Sequence, residues 1–151
     1  MQSVLAQGYE ACRKIMKASG KSYYFATSLF GDVWMKRSTW ALYAFFRIPD
    51  DIVDEQLDKA PEVLDMELSD FAQDWRVALE AGTSDNAKMA AIVDTFKRCA
   101  IPAEYGESFL RSMALDIRKK QYATYQGLEE YMYGSAGTVG IMMAMVIGYA
   151  D

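Results

Sequence analysis

Wound as a helix, the segment from Val33 to Leu57 places Trp40, Tyr43, Arg47, Asp50 and Asp54 on one stripe, at steps of three and four. The stripe is aromatic at its start and ionic at its end, about 21 Å further on at 1.5 Å per residue. A cation and two carboxylates on the face that carries bulky aromatics make an unusual core stripe, because buried charges need partners or a metal. Carboxylates one turn apart can share a divalent cation, whereas without one each would raise the other's pKa. An oxygen-only donor set suits Mg²⁺, which keeps its waters and is held between one or two carboxylates and substrate phosphates. Arg47, one turn before Asp50, adds a planar fork that matches a phosphate. Together these residues would grip a diphosphate, with the aromatic end shielding whatever is attached to it.

Spacing by itself says less, since Asp54/Asp58, Asp70/Asp74 and Asp51/Glu55 also stand four apart. Asp70 and Asp74 lie off the Leu68-Phe71-Trp75 face and read as a solvated decoy. Arg47 and the preceding aromatics set Asp50/Asp54 apart from the other pairs. Pro49 falls inside the same segment, where it removes a backbone donor and frees the carbonyl of Phe45. A kink is expected there, or else a helix that ends at Ile48 and restarts at Asp50.

The elements that must carry this stripe read as helices throughout, because no stretch alternates in the strand manner. A first helix runs from about Ser3 to Lys17 and stops at Ser19-Gly20. An aromatic, apolar stretch, Lys21 to Phe30, precedes the long helix. Pro61 fits the first turn of the next, which carries Leu64, Leu68, Phe71, Trp75 and Leu79 and stops at Gly82. Ser84 or Asp85 is expected to cap its successor, with Met89, Ile92, Val93 and Phe96 on one face. Two more helices are expected, from Ile101-Pro102 to Lys120 and from Gln126 to Tyr149. On the last, Ala136, Gly140, Ala144 and Gly148 form a small stripe, suited to close helix approach or to leaving room for a ligand chain. Asp116 follows Phe109, Ser112 and Met113 to the edge of an apolar face. It reads as a third metal-facing acid or as a solvated one beside Arg118, Lys119 and Lys120.

Composition narrows the chemistry. The 151 residues suit one compact domain or a piece of one, with 52% apolar and 25% charged residues. Zero His excludes Ser-His-Asp and Cys-His nucleophile systems and every His-ligated metal. Net charge −5 without clustered Lys and Arg along the motifs gives no nucleic-acid signature. Cys12 and Cys99 form neither a disulfide framework nor a zinc motif and read as buried thiols of a cytoplasmic protein. No apolar run reaches the roughly 20 residues of a bilayer span, so membrane contact is peripheral at most. Ten Met, ten Tyr and seven Phe either fill the core or line a site for a greasy ligand. Gly20-Lys21-Ser22 ends like a phosphate-binding loop, but the motif's first glycine falls on Ile15, so the motif fails.

Three segments carry a resemblance: Lys21-Ser22-Tyr23-Tyr24-Phe25-Ala26; Trp40 to Arg47 running into Asp50-Asp51-Ile52-Val53-Asp54-Glu55; and Tyr131-Met132-Tyr133-Gly134-Ser135-Ala136-Gly137-Thr138-Val139-Gly140. In order and spacing they resemble the phytoene/squalene synthase family, the third segment being most like bacterial phytoene synthases. The resemblance implies an all-α isoprenoid-synthase fold and head-to-head condensation of two prenyl diphosphates with Mg²⁺, for which Mn²⁺ substitutes. Members ionise one diphosphate, form a cyclopropyl diphosphate, then ionise and rearrange it; phytoene synthases need no NADPH for the last step.

By the same resemblance Asp50 and Asp54 match the first aspartate motif and would hold the metal, with Asp116 as an acid facing it. Arg47 and Tyr43 match diphosphate contacts. Lys21, Ser22 and Tyr23 match the segment flanking the substrate, Tyr131 a tyrosine lining the site, and Ala136 with Gly140 the border of the prenyl channel. Pro49 departs from the pattern, standing where a helix-continuing residue is expected. Members also run well beyond 151 residues and carry a second aspartate motif on a later helix. Residues 1–151 therefore correspond to the N-terminal part of one helical prenyl-synthase domain, whose second half or a second chain would complete the site. The alternatives are a squalene or dehydrosqualene synthase, and a non-catalytic helical module that binds a partner helix or a lipid.

Overall fold

A computed structural model describes residues 3–54, 58–118 and 121–149, and these are helical, with no strand among them. Helix α1 (Val4–Ser19) begins where the Ser3 hydroxyl accepts from the Ala6 N–H, and ends where the Gly20 N–H donates to the Met16 carbonyl. Helix α2 (Lys21–Ser28) occupies the aromatic stretch that the sequence left without a helix. Helix α3 (Val33–Asp54) starts at Asp32, whose carboxylate accepts from the Met35 N–H at 2.6 Å, and continues through Pro49 without stopping at Ile48. The expected continuation of α3 to Leu57 lies outside the described residues.

Helix α4 (Pro61–Ala81) has Pro61 at its start and ends on Gly82, at φ 79°, a conformation that glycine adopts without strain. Helix α5 (Ala87–Arg98) is capped by neither Ser84 nor Asp85. Asn86 accepts from the Met89 N–H, while the Ser84 hydroxyl accepts from the Asn86 N–H and closes the turn before it. Helix α6 is Ala103–Arg118; the expected end at Lys120 lies outside the described residues. The single last helix of the sequence reading is three pieces: α7 (Tyr125–Met132), a π-helical turn (Tyr133–Gly137) and α8 (Thr138–Ile147), which ends at Gly148 with φ 86°.

Phe45 on α3 is the centre of the core. Phe46, Phe71, Trp75, Phe96 and Phe109 surround its ring at centroid distances of 5.1–6.1 Å, drawn from α3, α4, α5 and α6. Gly106 admits this packing, since a Cβ there would stand 2.7 Å from the Trp75 ring. A second, smaller cluster joins α1, α3 and α5 through Tyr9, Cys12, Ala41, Ala44 and Ala91. Both cysteines are free, and burial pushes the Cys12 thiol up to about 12, which makes it inert. The two clusters grip α3 along most of its length. They leave the face ending in Asp50 and Asp54 to the gap between α3, α6 and the α7–α8 run.

Candidate active site

That gap is a cavity of about 700 Å³. Helix α3 lines it with Tyr43, Phe46, Arg47, Asp50 and Asp54, α6 with Phe109, Met113 and Asp116, and the last helices with Tyr131, Ser135 and Val139. A second cavity of about 360 Å³ shares Tyr43, Phe46 and Val139 with the first. Its other walls are mostly apolar: Met16, Ala26, Phe30, Met143 and Ile147, together with Tyr23, Thr27 and Thr39. The site is thus an acidic chamber joined to an apolar annex at one aromatic-aliphatic collar.

In the acidic chamber Arg47 is the cation facing three acids among the described lining residues. Its Nη1 stands 3.2 Å from Asp50 Oδ2, and its Nε 2.7 Å from Asp51 Oδ1. Asp51 holds the guanidinium from the side, a role the sequence reading missed although Arg47 and Asp51 stand one turn apart. Burial first, and the charge of Asp54 second, push Asp50 above the ordinary carboxylate range, against the pull of Arg47. Burial and Asp54 also raise Asp116, while the hydrogen bond from Tyr131 works the other way. That bond runs from Tyr131 Oη to Asp116 Oδ2 at 2.8 Å. Burial and the same bond push the Tyr131 phenol up to about 12, so it stays a donor. The Tyr122 ring lies against Tyr131 with centroids 5.2 Å apart.

Tyr43 reaches the collar because Gly20 lets it pass. A Cβ at Gly20 would stand 2.7 Å from the Tyr43 hydroxyl, so the stop signal of α1 also makes room for the site. Across the chamber, Gly134 brings the π-turn onto α6, where a Cβ would meet the Ser108 carbonyl at 2.8 Å. The buried Thr138 hydroxyl donates to the Gly134 carbonyl at 2.6 Å within that turn. π-Turns of this kind are common where a helix must re-aim side chains at a site.

The structure brings Tyr43, Arg47, Asp50, Asp54, Asp116 and Tyr131 around one chamber, and places Tyr23 on the annex. Other expected residues fall outside the two cavities. Trp40 leaves the stripe and packs against the second cluster, beside Tyr9 and Ala41. Lys21 and Ser22, on the first turn of α2, are exposed and line neither cavity. Ala136 and Gly140 are exposed as well, and a Cβ at Gly140 would meet nothing within 4 Å. The row one residue earlier, Ser135, Val139, Met143 and Ile147, faces the cavities in their place. The collar and wall residues Phe46, Phe109, Met113 and Tyr122 had no role in the sequence reading. The signal for Phe46 was its place one turn before Asp50.

For Mg²⁺ the donor chemistry fits in one mode. Among the described residues no three His, Cys, Asp or Glu stand close enough to hold a metal by themselves. Two carboxylates one turn apart, an oxygen-only set and a roomy chamber match a cation that keeps its waters and is completed by phosphate oxygens. The repulsion that raises Asp50 is what such a cation relieves.

Fold and chamber together define an all-helical protein of the isoprenoid-synthase type. Residues 16–151 match the squalene/phytoene synthase family, and the chain belongs to that family. It is 29% identical to a 15-cis-phytoene synthase of Synechocystis over 94% of this chain and 41% of that protein. It is 30% identical to the chloroplastic phytoene synthase 1 of Zea mays over 97% of this chain and 35% of that protein. The chain therefore spans less than half the length of these relatives. A dehydrosqualene synthase crystal structure superposes with a TM-score of 0.73 at 28% identity, covering 93% of this chain and 47% of the other. A squalene synthase from Alicyclobacillus acidocaldarius superposes over the whole chain and 55% of its own, with a TM-score of 0.82 at 24% identity, a likeness of fold.

Proposed function

We propose that this chain is the N-terminal half of a cytoplasmic synthase that condenses two geranylgeranyl diphosphates head to head into phytoene, with Mg²⁺ or Mn²⁺. The observation that carries the reading is the union of an acidic chamber, with one fixed guanidinium, and an apolar annex across a shared collar. The names of the relatives support the C20 substrate. A C-terminal half bearing a second acidic motif, on the same or another polypeptide, completes the site.

In this scheme the diphosphate lies in the chamber and the prenyl chain runs through the collar. Asp50 and Asp54 would hold the metal, which supplies charge neutralisation to the departing diphosphate. Asp116 faces it from α6. Arg47, kept in place by Asp51, gives the leaving oxygens a charge-assisted donor. Tyr43 donates its hydroxyl from the collar. Tyr131 holds Asp116 to one orientation, as outer partners of metal ligands do. The faces of Phe46 and Phe109 stabilise the allylic cation, and the apolar annex keeps water from it.

Calorimetric titration with geranylgeranyl diphosphate tests the reading. Binding is expected with Mg²⁺ and is lost with EDTA or in Asp50→Asn. Phytoene is expected only after a C-terminal half is supplied. Metal-independent binding equal in the two proteins would sink the proposal.

A further inference from the structure

Helix α2 has little of its own to hold it in place. At eight residues it is shorter than a helix that persists by itself, and no side chain caps its start. Gly20, at φ −128° and ψ 59°, breaks it from α1, so the two helices are separate bodies. Of its side chains Thr27 is buried and Tyr24 half-buried, and the others are exposed. Those two stand three residues apart, on the side that meets α1. Thr27 approaches the Met16 sulfur at 4.0 Å, a weak contact. Tyr24 accepts from Arg13 Nη1 at 2.8 Å, a bond with a charged donor and so among the stronger kinds. Arg13 is itself aimed. Its Nε and Nη2 donate to the two carboxylate oxygens of Glu10, at 2.8 and 2.6 Å, which fixes the plane of the fork and leaves Nη1 for α2. A Glu–Arg pair on a partly exposed helix face adds little to α1 itself. Its consequence lies in α2, which supplies Tyr23, Ala26 and Thr27 to the annex wall.

We propose that Arg13, aimed by Glu10, is a positioning residue for the annex: through the Tyr24 hydroxyl it seats α2 on α1, so that Tyr23, Ala26 and Thr27 stand where a prenyl chain would lie. Glu10, Arg13 and Tyr24 line neither the chamber nor the annex, so the trio acts on the wall and not on a ligand. The tie joins two helices of the same chain and stands whatever else covers α2. The use of the wall to a prenyl chain rests on the synthase reading; the seating of α2 does not. Losing the tie should therefore weaken the hold on a long tail and leave the hold on the diphosphate as it was.

Two measurements test it. In amide hydrogen exchange, Arg13→Ala and Tyr24→Phe are each expected to speed exchange at residues 24–28 about ten-fold, the effect of one charge-assisted bond, while the α5 amides keep the parent's rates. In calorimetric titration with Mg²⁺, geranylgeranyl diphosphate is compared with dimethylallyl diphosphate, whose five carbons are too few to fill the annex. Both variants are expected to lose about ten-fold for the long ligand and to stay within about two-fold for the short one. The double variant is expected to lose no more than either single one, because both remove the same bond. Arg13→Lys keeps the charge but cannot hold Glu10 with a planar fork while reaching Tyr24, and is expected to fall between Arg13→Ala and the parent. Parent-like exchange in α2 overturns the proposal. So do equal losses for the two ligands, which mark general damage, additive losses in the double variant, or an unchanged preference for the long tail. A parent that binds neither diphosphate, with α2 exchange still faster in both variants, removes the synthase reading and leaves the seating of α2 by Arg13 in place.

Discussion

The two ends of α3 use the same side-chain types to opposite effect. Near its start, Trp34 is stacked under Arg98, with the guanidinium 3.9 Å from the ring centre, and Arg37 lies 5.0 Å from the same ring. Tyr9 meets Trp34 edge-on at 6.2 Å and donates to Asp94 at 2.5 Å, while Asp94 pairs with Arg98. Asp94, Arg98 and Arg37 each meet a side chain from another helix, and the result ties α1, α3 and α5 together. At the other end Asp50, Asp54 and Asp116 crowd one chamber, and Arg47 is divided between Asp50 and Asp51. Charge there is left in excess, and Asp50 is pushed up by it. A balanced cluster holds a fold. An unbalanced one, kept in place by the rest of the fold, is arranged for something that arrives later.

The largest expected effect separates the two ends by rate. With a C-terminal half present, Asp50→Asn is expected to cost about 10²–10³ in phytoene formation, the usual result of losing charge stabilisation in a transition state. Asp94→Asn, the same change at the other end, is expected to stay within about three-fold, an effect of about 0.65 kcal/mol. Product formation at saturating Mg²⁺ decides, and equal losses would end the contrast.

Stability should rank the ends the other way. Trp34→Ala removes the stack with Arg98 and the Tyr9 edge contact, each worth about 0.5–1.5 kcal/mol, and is expected to cost about 1–2 kcal/mol in urea unfolding. Tyr43→Phe, in the collar, is expected to change stability by less than about 0.5 kcal/mol, since its hydroxyl is only partly buried. A Trp34→Ala chain as stable as the parent would mean the stack is incidental.

What could be read from the sequence depended on period and local chemistry. Gly20, Pro61 and Gly82 act on their own turns, so those helix ends were legible. The Asp50/Asp54 pair and Arg47 were legible because four residues make nearly one turn. Trp40 was misplaced for the same reason seen from its far side: three residues before Tyr43, it stands about 60° around the helix and meets α1 instead of the chamber. Ala136 and Gly140, matched by resemblance to the border of a prenyl channel, are exposed, and the lining of the chamber falls on Ser135 and Val139. A row at steps of four drifts about 40° per step on a straight helix, so α8 can show Val139 to both cavities and Met143 and Ile147 only to the annex. That register is set by the π-turn where Gly134 meets the Ser108 carbonyl. This contact joins residues far apart in sequence, so no local pattern announces it. The same holds for Asp116, whose place beside Tyr131 depends on how α6 meets α7.

The smallest expected effect is the sharpest test of the unbalanced end, because it needs no substrate and no second half. Asp50 is raised in the folded chain above its value in the unfolded one, by burial and by Asp54. A carboxylate raised by folding binds its proton more tightly in the folded state. Its ionisation therefore costs stability, a cost absent below the unfolded pKa and present once pH has risen past the folded one. Asp50→Asn removes the ionisation and should make the metal-free chain slightly more stable at neutral pH. The gain is expected to stay below about 1 kcal/mol, since the side chain is 40% exposed and solvent screens the repulsion. It should shrink toward zero as pH falls below the ordinary carboxylate range. Mg²⁺ together with inorganic diphosphate should stabilise the parent and leave the variant unchanged, reversing their order. Urea midpoints for the two proteins at acidic and neutral pH, with and without Mg²⁺ and diphosphate, make the comparison. A variant less stable than the parent at neutral pH without ligand would mean that Arg47 already balances Asp50, and that this end of α3 is a clamp like the other.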